Sequence, residues 1–247
     1  MEEWNDLLYL SGNEIPFSVA RLNISQPKIK DIALLGENNF YSGVEFLKFD
    51  KDILLQEDKV HLENKSNFEV LIAIMNEQNL TIQKQKLQIT MVLALLFPEH
   101  SIEIKRQYIS LVKGEEEFQI NNENFEEFKR IIKHMFCLDG DKDDKSDYNP
   151  SGPMAQQIAE KLKKRHQRIS QEKNQNKKIS ILERYVSILA VGESKDMNSL
   201  LNYTVYQLFD ELKRYQLKMA WDLNLKARLA GAQDLEDAED WMQDLHP

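Results

Sequence analysis

Cys137 follows His134 by three residues, a spacing that sets a thiol and an imidazole on one side of a helix. A thiolate beside an imidazole is a nucleophile. No orienting acid and no oxyanion donor accompanies the pair in sequence. The helix around it is amphipathic and cysteine is among the most buried residue types, so the pair reads as part of a packed face. Asp139, Asp141 and Asp143 stand at the first, third and fifth positions of a calcium loop. That loop also needs a glycine at position six and a bidentate glutamate at position twelve. Asp144 and Pro150 stand there instead, so the stretch reads as a solvated acidic linker.

The five histidines, His61, His100, His134, His166 and His246, include no pair at i+3 or i+4 and no HExxH. A zinc site would need partners gathered by the fold alone. With 8 glycines, neither GxGxxG nor GxxxxGK[ST] occurs, so no glycine-built phosphate cradle is present. No catalytic residue, metal or cofactor is assigned, and a non-enzymatic protein is expected.

Charge is more informative. Lys161, Lys163, Lys164, Arg165, Arg168, Lys173, Lys177 and Lys178 face only Glu160 and Glu172, inside a chain whose net charge is −9. Such a patch suits phosphates or an acidic protein surface, and it equally describes a solvated helix face. The overall acidic balance and the scarcity of interleaved aromatics argue against nucleic acid. The C-terminal stretch is the opposite. Asp234, Glu236, Asp237, Glu239, Asp240 and Asp244 flank an apolar edge of Leu235, Ala238, Trp241, Met242 and Leu245. It would cap its own domain or dock as a helix in a partner's groove. Self-association, acidic tail against basic segment, is the head-to-tail version of the same contact.

The elements that must position these groups follow from periodicity. The 247 residues, 42% hydrophobic and 30% charged, suffice for a core without staples. One cysteine excludes an intrachain disulfide and fits a reducing cytoplasm. The acidic N-terminus lacks a signal peptide's basic and apolar regions, and the longest apolar run, 91–97, is too short to cross a membrane. The pattern predicts a mainly α fold with a small β component. An α+β domain spans 1–138, with a strand over 15–25, helices split near Gly36 and capped at Ser66, a hairpin over 101–120 and a helix over 124–137. An acidic linker occupies 139–152. A helical domain, 153–247, carries a long helix from about 202 to 230, ended by Gly231, and a last helix over 235–245.

Together these pieces resemble a known group. Gln26-Pro27 opens a helix-forming stretch that reaches Phe40-Tyr41. Asn124-Phe125-Glu126-Glu127-Phe128 opens a middle helix, and the acidic linker and basic segment follow. Then comes Thr204-Val205-Tyr206-Gln207-Leu208-Phe209-Asp210, a helix ending in Leu229-Ala230-Gly231, and Trp241-Met242. The layout is similar to tail assembly chaperones and related tail morphogenesis proteins of tailed bacteriophages of Gram-positive hosts. The resemblance implies a non-catalytic role in the host cytoplasm. Such proteins bind the tape-measure protein, or other tail proteins, and shield its apolar helices until the tube assembles. The contact residues it points to are Tyr203, Tyr206, Phe209, Tyr215 and Trp221 on the long helix and Trp241 and Met242 in the tail, because aromatic anchors dominate interfaces. This chain is longer than the simplest chaperones and adds an N-terminal strand-and-helix half. A structural virion component, such as a baseplate or tail part, therefore stands beside the chaperone. A nucleic-acid binder acting through 160–178 is third.

Overall fold

Residues 5–50, 64–76, 80–138, 180–232, 239–243 and 245 are described by a computed structural model. They form a mainly α fold with two small antiparallel sheets, as the periodicity predicts. No helix among the described residues is long and apolar enough to cross a membrane.

Helix α1 (Asp6–Ser11) starts where the Asn5 side chain accepts from the Leu8 amide, and Gly12 ends it at φ 70°. Strands β1 (Ile15–Phe17) and β2 (Leu22–Ile24) follow. The single strand expected over 15–25 is thus a hairpin, with Ile15 opposite Ile24 and Phe17 opposite Leu22. Its bend is a 3₁₀ turn at Ser18–Ala20, closed by Arg21 in the left-handed region. No glycine or proline marks that turn, and the buried apolar positions shift from 15 and 17 to 22 and 24 across it, with Val19 exposed at the bend.

Gly36, at φ 87°, separates α2 (Ile29–Leu35) from α3 (Glu37–Leu47). Ser66 and Glu69 form the capping box of α4 (Asn67–Met75). Helix α5 (Leu80–Leu96) stops just before Pro98 and crosses α3 at Gly43. A β-carbon on Gly43 would lie 2.6 Å from the Gln88 carbonyl oxygen and 2.6 Å from Val92 Cγ2, so only glycine allows the two backbones this close.

The expected 101–120 hairpin has three strands, not two: β3 (Ser101–Ile104), β4 (Ile109–Lys113) and β5 (Glu116–Ile120) form a meander. The extra turn lies between Lys105, whose amide donates to the Tyr108 carbonyl, and Tyr108. It too lacks glycine and proline, whereas the second turn has the predicted Gly114 at φ 63°. Helix α6 (Phe125–Met135) buries Phe125, Phe128, Ile131, Ile132 and Met135. The Phe128 ring sits 5.8 Å from Phe17 and 6.2 Å from Phe97. The Phe136 ring meets Phe40 edge-on at 5.0 Å. Cys137 ends this helix in the left-handed conformation, with its amide on the His134 carbonyl and the Leu138 amide on the Lys133 carbonyl. That is a Schellman closure with a cysteine where glycine is usual.

After the linker come α7 (Ile181–Gly192), α8 (Met197–Leu201) and α9 (Val205–Leu229). The long helix starts at Val205, not at 202, because Thr204 and Gln207 form a capping box there. Before it, Asp196 caps the separate short α8. Side chains from both sides of the linker share one cluster, Phe40 and Phe128 with Leu182, Leu189, Val205 and Leu208. Backbone ties reinforce it: the Ile29 amide donates to the Tyr203 carbonyl at 2.9 Å, and Lys28 bridges Thr204. Linker 139–152 with its aspartates, the helix expected from Pro153, and the basic patch of Lys161, Lys163, Lys164, Arg165 and Arg168 lie outside the described residues. So does 233–238.

Candidate protein-binding surface

Helix α9 carries the predicted long stripe. Its 25 residues span about 37 Å at 1.5 Å per residue. The first turns are locked down. Val205, Tyr206, Leu208 and Leu212 are buried. Gln207 Nε2 donates to the Leu10 carbonyl at 2.7 Å. The Tyr206 hydroxyl donates to Asp6 Oδ1 at 2.8 Å, and His134 Nε2 lies 2.8 Å from the same oxygen. One carboxylate therefore joins α1, α6 and α9. Burial first, and then the Asp6 hydrogen bond, pushes the Tyr206 phenol far above its ordinary range, so it stays a donor at neutral pH.

Beyond Leu212 the surroundings change. From Lys213 to Leu229 no residue is buried. Yet the apolar stripe continues: from Leu208, steps of 4, 7, 11 and 15 residues reach Leu212, Tyr215, Met219 and Leu223. Tyr215 is half-buried, and Met219 and Leu223 are 51% and 69% exposed. A second row at i+4 spacing holds Leu217, Trp221, Leu225 and Leu229, of which the last three are exposed. The helix closes with a second Schellman motif, Gly231 at φ 87° bonding to Arg228 and Ala232 to Ala227, so it ends in a defined cap. An apolar helix face exposed in this way is a candidate interaction surface.

The tail lies against the first part of this exposed stretch. Arg214 donates to the carbonyls of Trp241 and Gln243, each at 2.7 Å. Lys218 Nζ stands 6.0 Å from the Trp241 ring, and Leu245 is buried. The helix expected over 235–245 is not formed in its described part: 239–243 makes turns. Asp240 explains this, because its side chain accepts from the Met242 amide and its carbonyl from the Gln243 amide. Such an Asx turn competes with helix.

The residues singled out from sequence are thus divided among three places. Tyr206 is in the core. Tyr203, Phe209, Tyr215 and Trp241 are partly covered, Phe209 by the Tyr185 ring at 5.2 Å. Trp221 and Met242 are open, at 38% and 69% exposure. Met219, Leu223, Leu225 and Leu229 belong to the open surface and were missed by looking for aromatics. Of the thiol–imidazole pair, His134 Nε2 faces Asp6 and Cys137 takes the left-handed position that ends α6.

Residues 172–246 match the family model of the YomV second domain, a phage-derived family. The match covers well under half of the chain, includes α7, α8, α9 and most of the tail, and supports a phage protein. Of the segments that carry the resemblance to tail morphogenesis proteins, those around Thr204–Asp210 and Trp241-Met242 lie inside it, and those at 26–41 and 124–132 lie outside. No curated protein and no solved structure matches the chain.

Proposed function

We propose that this chain is a non-catalytic tail assembly chaperone that acts in the host cytoplasm by covering apolar helical surface of the tape-measure protein. The observation that carries the reading is the α9 stripe, anchored in the core at Leu208 and Leu212 and open to water at Met219 and Leu223. A tape-measure protein is a long helical chain whose own apolar stripe would aggregate before the tube closes on it. Two such stripes bury each other by ridge-into-groove packing, and the acidic chain keeps the complex soluble. The phage-derived family match over the same segment supports the setting.

The test is co-expression with the tape-measure protein of the same phage. The wild-type chain is expected to hold it soluble and to copurify with it. The triple variant Met219→Ser, Leu223→Ser, Leu229→Ser is expected to stay folded and to lose the complex. A tape-measure protein that is equally insoluble with and without the wild-type chain would overturn the reading. Recovery of the chain as a stoichiometric part of purified particles would favour a structural virion component instead.

A further inference from the structure

A second apolar surface lies away from the α9 stripe. A cleft of about 650 Å³ separates α2 and the start of α3 from α7 and α8. Its floor is apolar: Ile29, Ile32, Leu182 and Val186 are buried, and Met197 stands at its rim, 53% exposed. Among the described residues, the charged ones that line it are Glu37 and Glu183, with no lysine or arginine.

Glu37 is held in an unusual way. Its Oε1 accepts from the amides of Ile181 and Leu182, at 2.9 and 3.3 Å, so it closes the N-terminus of α7 from 144 residues away. Ser180 takes the Glu183 amide. The amides of Ile181, Leu182 and Glu183 are thereby used by side chains. The other oxygen, Glu37 Oε2, is buried and has no hydrogen-bond partner. A buried acceptor without a donor is costly, and a cationic donor satisfies it best.

We propose that this cleft takes a lysine side chain presented by an apolar helical segment of a partner polypeptide. Lysine fits both halves of the site. Its four-carbon stem lies along the apolar floor and its ammonium reaches the carboxylate. A polypeptide segment rather than a free amine fits the size of the cleft, which at about 650 Å³ is far larger than one butylammonium group. The proposal rests on the reading that the chain works by binding another polypeptide. It names a second contact with its own charge requirement.

The probe is a labelled amphipathic helical peptide of leucine and alanine with one central lysine, and its twin with norleucine at that position. Both are titrated against the full chain by fluorescence anisotropy. The lysine peptide is expected to bind at least about tenfold tighter, the scale of a charge-assisted hydrogen bond. Glu37→Gln keeps an oxygen for the two amides of α7 and should erase that preference. Met197→Lys, at an exposed position where folding is not at stake, should weaken the lysine peptide and spare the norleucine twin. Equal binding of the two peptides, or an undiminished preference in both variants, overturns the proposal. So does n-butylamine displacing the peptide on its own, or self-association that Glu37→Gln abolishes, since the occupant is then a small amine or a second copy. The two readings fail separately. Loss of lysine selectivity with the tape-measure protein still held soluble removes this inference alone. Lysine-selective binding with no rescue of the tape-measure protein removes the chaperone and leaves the cleft.

Discussion

The two ends of α9 have the same apolar spacing and opposite surroundings. Leu208 and Leu212 are buried under α1 and the central cluster, while Met219 and Leu223, on the continuation of the same stripe, stand in water. Hydrophobic periodicity reports that a helix forms and which side is apolar. It does not report what covers that side. Cover is supplied by the rest of the chain, and among the described residues α9 is buried only in its first turns, up to Leu212. The first half is packed into the body, and on the proposed reading the second half meets a partner.

The largest expected effect tests this division directly. Leu208→Ala should cost about 2–5 kcal/mol, the range for a fully buried leucine, because a cavity is added to the lost burial. Leu223→Ala should change stability by less than about 0.5 kcal/mol, as for an ordinary surface position. Urea denaturation followed by circular dichroism gives both numbers. Similar costs at the two positions would mean that the distal stripe is covered after all and that the comparison fails.

A smaller effect is expected at the tie that holds the first half of α9 in place. Asp6 Oδ1 accepts from the Tyr206 hydroxyl and faces His134 Nε2. Asp6→Ala takes this acceptor from the buried Tyr206 hydroxyl and this partner from His134, a loss of about 1–3 kcal/mol. Asp6→Asn keeps an acceptor oxygen and should recover part of it. If the tie matters only to the anchored half, Asp6→Ala lowers the denaturation midpoint and leaves partner binding by Met219 and Leu223 intact in the fraction that is folded. Loss of binding out of proportion to unfolding would show that the distal half depends on how the proximal half is seated.

Local signals made much of the fold legible. The clean amphipathic face of α6, the Ser66 capping box, the break at Gly36 and the closure at Gly231 are each written within a few residues, so a single chain reveals them. Two turns were missed because neither holds a glycine or proline: the Ser18–Arg21 bend and the Lys105–Tyr108 bend. Tertiary packing sets their geometry. Nonlocal chemistry was not legible at all. Nothing near Glu37 announces that it will cap a helix beginning at residue 181, and nothing near Asp6 points to Tyr206. The binding surface was half legible. Its helix was found from spacing, but its residues were chosen for aromaticity, and Tyr206 is in the core while the open positions are mostly aliphatic.

The smallest effect sharpens the comparison by placing acid sensitivity in the body. His100 packs between Phe97 and Phe118, each ring centre 5.9 Å away, and its Nδ1 is buried without a partner. Burial, and then the nearby Lys113 cation, holds its pKa below the ordinary histidine value, with Glu99 opposing. The unfolded chain therefore takes up this proton at a higher pH than the folded one. Between the two pKa values the unfolded state holds more protons, so stability rises with pH and is lost as pH falls below about 6.5. His100→Leu removes the titrating group. Its stability, measured by urea titration at several values between pH 7.5 and 5, should fall less steeply than that of the wild type. Leu223→Ala, on the distal stripe and far from any such group in sequence, should follow the wild-type slope. A His100→Leu profile parallel to the wild type would show that the proton enters folded and unfolded chains alike, and acid sensitivity could then no longer be assigned to the packed half of the molecule.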